Sequence, residues 1–224
     1  MTNESFYYIE DCTEDCTEDR QVPGKSFIRV FHAAPGAPEV DIYANGRMVA
    51  RRLAFGQFTE YIAVDAGTYT IEAFPVGLQH SPVLSVRIPV ADQKVYTLCV
   101  IGLLPRIGIL PVEDTFEPLN AGRTNIRFVN LSPNAPGLSL SLRGGLALFS
   151  DINYTEVSDY RAVLPGRYNL VVTPSGTPVV LVNLPNVRLL PRRNLTFYAV
   201  GMFGQNPSSL EVYIPMDGTT YLRD

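Results

Sequence analysis

The sequence contains no tryptophan, and its 224 residues include only two histidines and three cysteines. With so few imidazoles and thiols, it lacks the paired Cys and His spacings of a structural zinc site. It also lacks the motifs of nucleophilic hydrolases, zinc peptidases, P-loop NTPases and Rossmann dinucleotide-binding domains. We therefore predict that the protein is not an enzyme, and we predict no cofactor and no metal site.

Long hydrophobic runs and a strong charge are also missing. No stretch of about 18 apolar residues occurs, so we expect no membrane span. The first 19 residues have neither the basic nor the apolar region of a secretory signal peptide. The net charge is −4, but residues 1–24 hold seven acids and one arginine (−6), which leaves 17 basic and 15 acidic residues (+2) in the rest. A nearly neutral body attracts phosphate backbones weakly, so nucleic acid is not an expected partner.

The sequence does contain an internal repeat. Placing Ile28 on Ile126 aligns IRVFHAAPGAPEVDIYANG with IRFVNLSPNAPGLSLSLRG. After a slip of one residue the match continues, and GTY at 67–69 meets GRY at 166–168. Such a long period indicates two duplicated domains rather than a solenoid of short repeats.

Each copy is predicted to be β-structure, with seven or eight short strands. Apolar and polar residues alternate along 27–31 and 69–74, and Gly and Pro separate these segments. Asn45-Gly46 is typical of a type I′ hairpin turn. We predict an all-β fold of two tandem antiparallel β-sandwiches, Ig-like or transthyretin-like, behind a flexible N-terminal tail. The predicted boundaries are 1–24 for the tail, 25–113 for the first sandwich, 114–122 for a linker, 123–218 for the second sandwich and 219–224 for the C-terminal end.

A family resemblance is visible in the aligned segments. The opening I-R-V/F-x-x-x-A/S-P-x-A-P, the following V-D-I-Y-x-x-G and the later G-x-Y turn resemble a bacterial domain of unknown function that occurs in tandem on cell-surface proteins. The resemblance implies a β-sandwich and an extracytoplasmic setting, and it implies no reaction. The second copy departs from the motif, because Ser139 and Ser141 replace Asp41 and Tyr43.

Several polar residues of the first copy invite a functional interpretation. Glu39 and Asp41 share one strand face, and we expect a solvated outer face rather than a catalytic acid pair, because the second copy has neither. His32 is predicted to be structural. Cys99 lies in the apolar strand VYTLCVI and is predicted to be a buried small hydrophobe, although it is also a possible third thiol for pairing with the tail. The PGAP loop at 35–38 is predicted to be a rigid connection that crosses between sheets.

The tail carries the strongest functional signal. It repeats the unit Cys-Thr-Glu-Asp, so that Cys12 and Cys16 are four residues apart. In an extended tail these thiols lie roughly 13 Å apart, which is too far for a disulfide between them. They are therefore candidates for intermolecular disulfides, whereas in a helical tail they could approach each other. An apolar and aromatic segment precedes them and is predicted to dock on a neighbouring subunit: Phe6, Tyr7, Tyr8 and Ile9.

These features favour a self-assembling structural subunit of a bacterial surface layer, fibre or spore coat, joined through its tail to itself or to other surface proteins. The alternative is a monomeric surface module that adheres to a polysaccharide or a protein partner. The expected location is the cell or spore surface. A spore coat is assembled inside the mother cell, so a coat protein would need no signal peptide.

Overall fold

The computed structural model of the protein describes residues 24–78, 80–115, 122–204, 209–220 and 222. The chain divides into two compact units, and each contains two four-stranded sheets. The predicted all-β sandwich fold is confirmed, and the described residues form eight strands in each copy. One short 3-10 turn, Gly218–Thr220, lies near the end of the second unit.

The first sandwich is built from strands β1 to β8. Their bounds are Ser26–His32 (β1), Val40–Ala44 (β2), Arg47–Leu53 (β3), Ile62–Val64 (β4), Gly67–Pro75 (β5), Leu84–Val90 (β6), Val95–Leu103 (β7) and Arg106–Glu113 (β8). Sheet A1 has the order β4-β1-β7-β8, and sheet B1 has the order β3-β2-β5-β6.

The second sandwich repeats this plan with strands β9 to β16. Their bounds are Thr124–Asn130 (β9), Leu138–Leu142 (β10), Ala147–Ile152 (β11), Arg161–Val163 (β12), Gly166–Pro174 (β13), Val182–Leu189 (β14), Asn194–Val200 (β15) and Glu211–Tyr213 (β16). Sheet A2 has the order β12-β9-β15-β16, and sheet B2 has the order β11-β10-β13-β14.

One strand pair in each sandwich differs from the predicted antiparallel arrangement. Strand β1 is parallel to β7, and β9 is parallel to β15. Parallel neighbours need a crossover connection. The chain provides one here, because between β1 and β7 it passes through sheet B1 twice. The turn signals in the sequence predict short strands but do not specify which strands become neighbours.

The chain enters and leaves each sandwich at the same end of its A sheet. Phe27 at the start of β1 lies beside Val95, and Glu113 at the end of β8 lies beside Tyr96. The second sandwich has the same arrangement around Asn194, which pairs with β9 and accepts a hydrogen bond from the segment after β16.

Alternate residues on the strands form a separate hydrophobic core in each sandwich. Ile28, Val30 and Ile42 are buried in the first core, while Ile126 and Phe128 occupy the matching part of the second. Burial of these apolar side chains is the main source of stability for each unit. Because successive side chains on a strand point to opposite faces, the residues between them lie on the outer faces of the sheets.

Two repeated turn motifs have structural explanations. Asn45 and Gly46 have φ angles of +49° and +76°, as a type I′ turn requires, so this predicted turn is confirmed. In the G-x-Y motif, the Tyr69 hydroxyl donates to the carbonyl of Asp65 at 2.9 Å, and Tyr168 makes the equivalent bond in the second sandwich at 2.6 Å. This tyrosine corner fixes the entry into β5 and β13.

Candidate functional site

The residues of the predicted tail interaction lie outside the described part of the chain. They are Phe6, Tyr7, Tyr8, Ile9, Cys12 and Cys16. Tail docking and intermolecular disulfides therefore stay predictions. Cys99 is described, and it is fully buried in the middle of β7.

The carboxylates of the first copy serve the scaffold. Asp41 is only 7% exposed, so the prediction of a solvated face is wrong for this residue. Its Oδ1 accepts the backbone N–H of Arg52 at 2.8 Å, and Arg52 has a φ of +52°, in a bulged part of β3. Ser139 holds the equivalent N–H in the second sandwich, that of Asp151. Glu39 is exposed and forms an ion pair with Arg52 at 2.8 Å.

A buried polar cluster crosses the outer face of sheet A1. The Arg29 guanidinium carbon lies 4.6 Å from the centre of the Tyr61 ring, and its Nε donates to Thr97 Oγ1 at 2.9 Å. The Tyr61 hydroxyl donates to Asp114 Oδ2 at 2.5 Å. Asp114 belongs to the predicted linker by sequence but bonds to the first sandwich. Except for the half-buried Tyr61, all of these residues are almost completely buried.

The second sandwich repeats this cluster. Arg127 lies 4.6 Å from the centre of the Tyr160 ring and donates from Nε to Thr196 Oγ1 at 2.7 Å. The Asp217 carboxylate accepts the Thr196 hydroxyl at 2.7 Å and the Tyr160 hydroxyl at 2.5 Å. Because the same four residue types occupy the same places in both units, we interpret the cluster as part of the shared scaffold.

The outer face of sheet B1 has a different character. Ile42, Ala44, Ile71 and Ala73 point into the core, so the residues between them on β2 and β5 point away from it. The outward residues form two adjoining rows across the strands. In one row Tyr43 lies between Met48 and Glu72, and in the other Phe74 lies beside Asp41. The Tyr43 and Phe74 rings make an edge-to-face contact with centres 5.4 Å apart. Met48 is 42% exposed.

Polar residues lie in the same row of sheet B1 as Tyr43 and in the next row. Glu72 lies beside Ser85, and Thr70, two residues earlier on β5, lies beside the exposed Arg87. The side chains of Tyr43, Glu72 and Arg87 form no hydrogen bond or ion pair with any residue that the structure describes. Their hydroxyl, carboxylate and guanidinium groups are thus available to a ligand. We call Tyr43, Met48, Glu72, Phe74 and Arg87 the B1 surface.

The second sandwich lacks this combination. Ser141 stands at the position of Tyr43, Val171 at that of Glu72 and Thr173 at that of Phe74. The two units therefore share a scaffold but differ on the outer face of the B sheet. The alternation of β2 and β5 in the sequence indicates that Tyr43 and Phe74 are outward, but their contact depends on the pairing register, which the sequence does not reveal.

Within the described residues, no group of three or more His, Cys, Asp or Glu side chains is placed to hold a metal ion. In the same part of the chain, no helix combines the length and the hydrophobicity that a membrane span needs.

Comparisons with known proteins add one family match and several structural similarities. The sequence profile of a family described as "Domain of unknown function (DUF4397)" matches residues 26–141, which cover the first sandwich and the first two strands of the second. No curated protein matches the sequence.

Three solved structures resemble parts of the fold weakly. CBMbc (family CBM26) from Eubacterium rectale Amy13K, solved with maltoheptaose, is 9% identical over 84% of this chain and 96% of its own, with a TM-score of 0.26. A streptococcal virulence factor that binds alpha-glucan is 10% identical over 89% of this chain and 100% of its own, with a TM-score of 0.28. A leucine-rich repeat protein from Bacteroides thetaiotaomicron is 12% identical over 77% of this chain and 25% of its own, with a TM-score of 0.20. TM-scores this low indicate neither a shared ligand nor a shared site.

Proposed function

The chain belongs to the family described as Domain of unknown function (DUF4397), and on that premise we propose that it is a monomeric, non-catalytic binding module whose first sandwich binds a polysaccharide on the B1 surface. The observation that carries this proposal is the aromatic pair of Tyr43 and Phe74 beside unbonded polar groups on an outward sheet face.

Polysaccharide chemistry suits this surface. A sugar ring presents apolar C–H groups on its faces and hydroxyls around its edge. Aromatic rings offer an apolar surface with little conformational entropy to lose, and the Tyr43 hydroxyl adds a donor at the same place. Glu72 accepts hydrogen bonds from hydroxyls, while Arg87 donates to them. One face thus combines both kinds of contact that a sugar needs.

Scaffold roles account for the other candidate groups. Asp41 holds a backbone N–H of the bulge in β3, and Glu39 pairs with Arg52. The buried clusters around Arg29 and Arg127 are repeated in both units and are enclosed by the protein. Neither these carboxylates nor these clusters combine solvent exposure with polar groups that lack hydrogen bonds, as the B1 surface does. We therefore assign them structural rather than catalytic roles.

The test replaces residues of the B1 surface by their counterparts from the second sandwich. The double variant Tyr43→Ser, Phe74→Thr is compared with wild type by affinity electrophoresis against amylopectin, xylan and polygalacturonate. Isothermal titration calorimetry then measures Kd for each polysaccharide that binds. Burial of apolar surface is worth about 25 cal/mol per Å², so the loss of about 60 Å² of ring contact with the sugar weakens Kd about tenfold, and we expect at least this loss from the two rings together.

The matched control changes the same register positions in the second sandwich, as Ser141→Ala, Thr173→Ala. We expect this control to bind like wild type. The proposal fails if no polysaccharide in the panel retards the wild-type protein, or if the control and the B1 variant weaken binding equally. Thermal unfolding of each variant confirms that the fold is intact.

Self-assembly through the tail and a place on the cell or spore surface stay predictions. The thiols on which assembly depends, Cys12 and Cys16, lie outside the described residues. The proposed module is a monomer of 24.7 kDa under oxidising conditions. Disulfide-linked ladders that collapse on reduction would favour the structural subunit instead, and light scattering with and without reductant distinguishes the two.

A further inference from the structure

His32 ends β1 at the point where the chain leaves sheet A1 for sheet B1. Its side chain is fully buried, and its ring meets the Phe55 ring edge-to-face at 6.2 Å. The Nε2 atom lies 3.2 Å from the carbonyl oxygen of Pro38, in the PGAP loop that leads into β2. Residues 33–39 form what we call the first crossing loop. The imidazole thus links the end of β1 to the C-terminal part of this loop.

The two ring nitrogens have unequal surroundings. A carbonyl only accepts, so Nε2 carries the proton that is donated to Pro38. The Nδ1 atom is buried and has no hydrogen-bond partner among the described residues. The neutral ring is therefore satisfied at one nitrogen. A protonated ring would place a second donor, and a charge, in a buried site where the nearby carbonyl of His32 itself already accepts the Gly56 N–H at 2.8 Å.

In the second sandwich, the crossing loop is held to the end of β9 by a side chain that does not titrate. Asn130 occupies the equivalent position and donates from Nδ2 to the carbonyl of Ile152 at 3.0 Å and to that of Pro136 at 3.5 Å. Its Oδ1 accepts the N–H of Ser132 at 3.0 Å. Both ends of the amide are bonded, and no change of pH within the physiological range alters them. Residues 131–137 form the second crossing loop.

Charged groups near His32 are committed to other bonds. On the first crossing loop Glu39 pairs with Arg52, and on β2 the Asp41 carboxylate accepts the Arg52 N–H. The segment from Ala54 to Gln57, which packs against the end of β1, contains no titratable residue. No carboxylate bonds to the imidazole within the described residues.

We propose that His32 is an acid-sensitive latch: its protonation releases the first crossing loop from the end of β1, whereas the second crossing loop, held by Asn130, stays in place. This inference goes beyond polysaccharide binding, because its readout is the loop itself and needs no ligand.

The direction of the pH effect follows from burial. Burial lowers the pKa of His32 below its usual value of 6.5, and the backbone carbonyls of Pro38 and of His32 itself oppose this shift only in part. The latched state is therefore fully stable above about pH 6.5, where the ring is neutral in both the latched and the released states. As the pH falls below about 6.5, the ring gains a proton first in the released state. The equilibrium constant for latching then falls by up to about tenfold for each pH unit, until the lowered pKa of the latched state is reached.

Hydrogen exchange of the full chain, followed by mass spectrometry, tests the latch. Protection of peptides covering the first and second crossing loops is compared at about pH 7 and about pH 5, after correction for the intrinsic exchange rate. We expect protection of the first loop to fall in acid, by up to about thirtyfold between pH 6.5 and pH 5, and protection of the second loop to stay unchanged. His32→Asn copies the second sandwich and should remove the pH dependence.

Two further variants keep the result interpretable. The other histidine of the chain, His80, is exposed, and His80→Asn should leave the acid effect intact. Asn130→His should transfer acid sensitivity to the second loop, which tests the idea even if His32→Asn folds poorly. Equal pH responses of both loops, an acid effect abolished by His80→Asn, or an insensitive Asn130→His variant would overturn the proposal.

Discussion

Replacement of Arg127 by methionine tests the buried cluster most directly. The change keeps a long side chain but removes the guanidinium that lies over the Tyr160 ring and bonds to Thr196. It also removes the guanidinium whose Nη2 lies 4.0 Å from the fully buried carboxylate of Asp217. Removing one partner of a buried pair costs about 3–5 kcal/mol, because the remaining charge stays desolvated.

Such a loss is a large fraction of the stability of a domain, which is about 5–15 kcal/mol. Urea unfolding of wild type and Arg127→Met should show that the transition of the second sandwich moves to a lower midpoint while that of the first does not move. The matched control is Arg161→Met. Its guanidinium is exposed and lies 5.8 Å from the Phe149 ring, so we expect a loss under about 1 kcal/mol.

The double variant Arg127→Met, Asp217→Leu separates charge from packing. The double variant no longer holds a buried carboxylate that has lost the Arg127 cation, so it should be more stable than Arg127→Met alone. An Arg127→Met protein within about 1 kcal/mol of wild type, or a double variant less stable than the single one, would refute the assignment of Arg127 as the cation that stabilises the cluster.

Three other predictions concern the turns and the tail. Gly102 has a φ of +98°, and a β-carbon there would lie 2.4 Å from a backbone oxygen of β8. In urea titrations, Gly102→Ala should therefore destabilise the first sandwich by more than about 2 kcal/mol. The control Gly108→Ala places its β-carbon in open space and should not destabilise the sandwich. Tyr69→Phe removes one hydrogen bond to a backbone carbonyl and should cost about 1 kcal/mol in thermal unfolding, with a loss near zero counting against the tyrosine corner. If the tail links subunits, Cys12→Ser with Cys16→Ser should abolish reductant-sensitive oligomers on non-reducing gels, and oligomers that persist would exclude these thiols as the link.

The sequence was sufficient to predict the fold class because the signals for strands and turns are local. The duplicated IR and PxAP segments, the alternation of strands and the Asn45-Gly46 turn each depend on neighbouring residues. The pairing of β1 with β7 could not be read in the same way, because it joins residues about 70 positions apart, such as Arg29 and Thr97. The prediction that Asp41 is solvent-exposed was wrong because its carboxylate accepts a backbone N–H in the bulge of β3. No local sequence pattern predicts this bulge.

The candidate site shows the same division. Alternation along β2 and β5 predicts that Tyr43, Glu72 and Phe74 point outward. The contact between these side chains depends on the pairing register of β2 and β5. In the sequence these two strands are separated by β3 and β4, so the register cannot be read from neighbouring residues. The aligned Ser141 and Thr173 could have marked the difference between the two copies, since a scaffold position would more readily have kept its residue type.

The shared end at which the chain enters and leaves each sandwich has an architectural consequence. The start of β1 and the end of β8 both flank the start of β7. The first and last residues of one unit are therefore close together in space. Such a unit can be inserted into a surface loop of another protein or copied in series without rearranging its strands, since neither event has to pull its two ends apart. The crossing loops lie at the opposite end of each unit, so neither event has to change them.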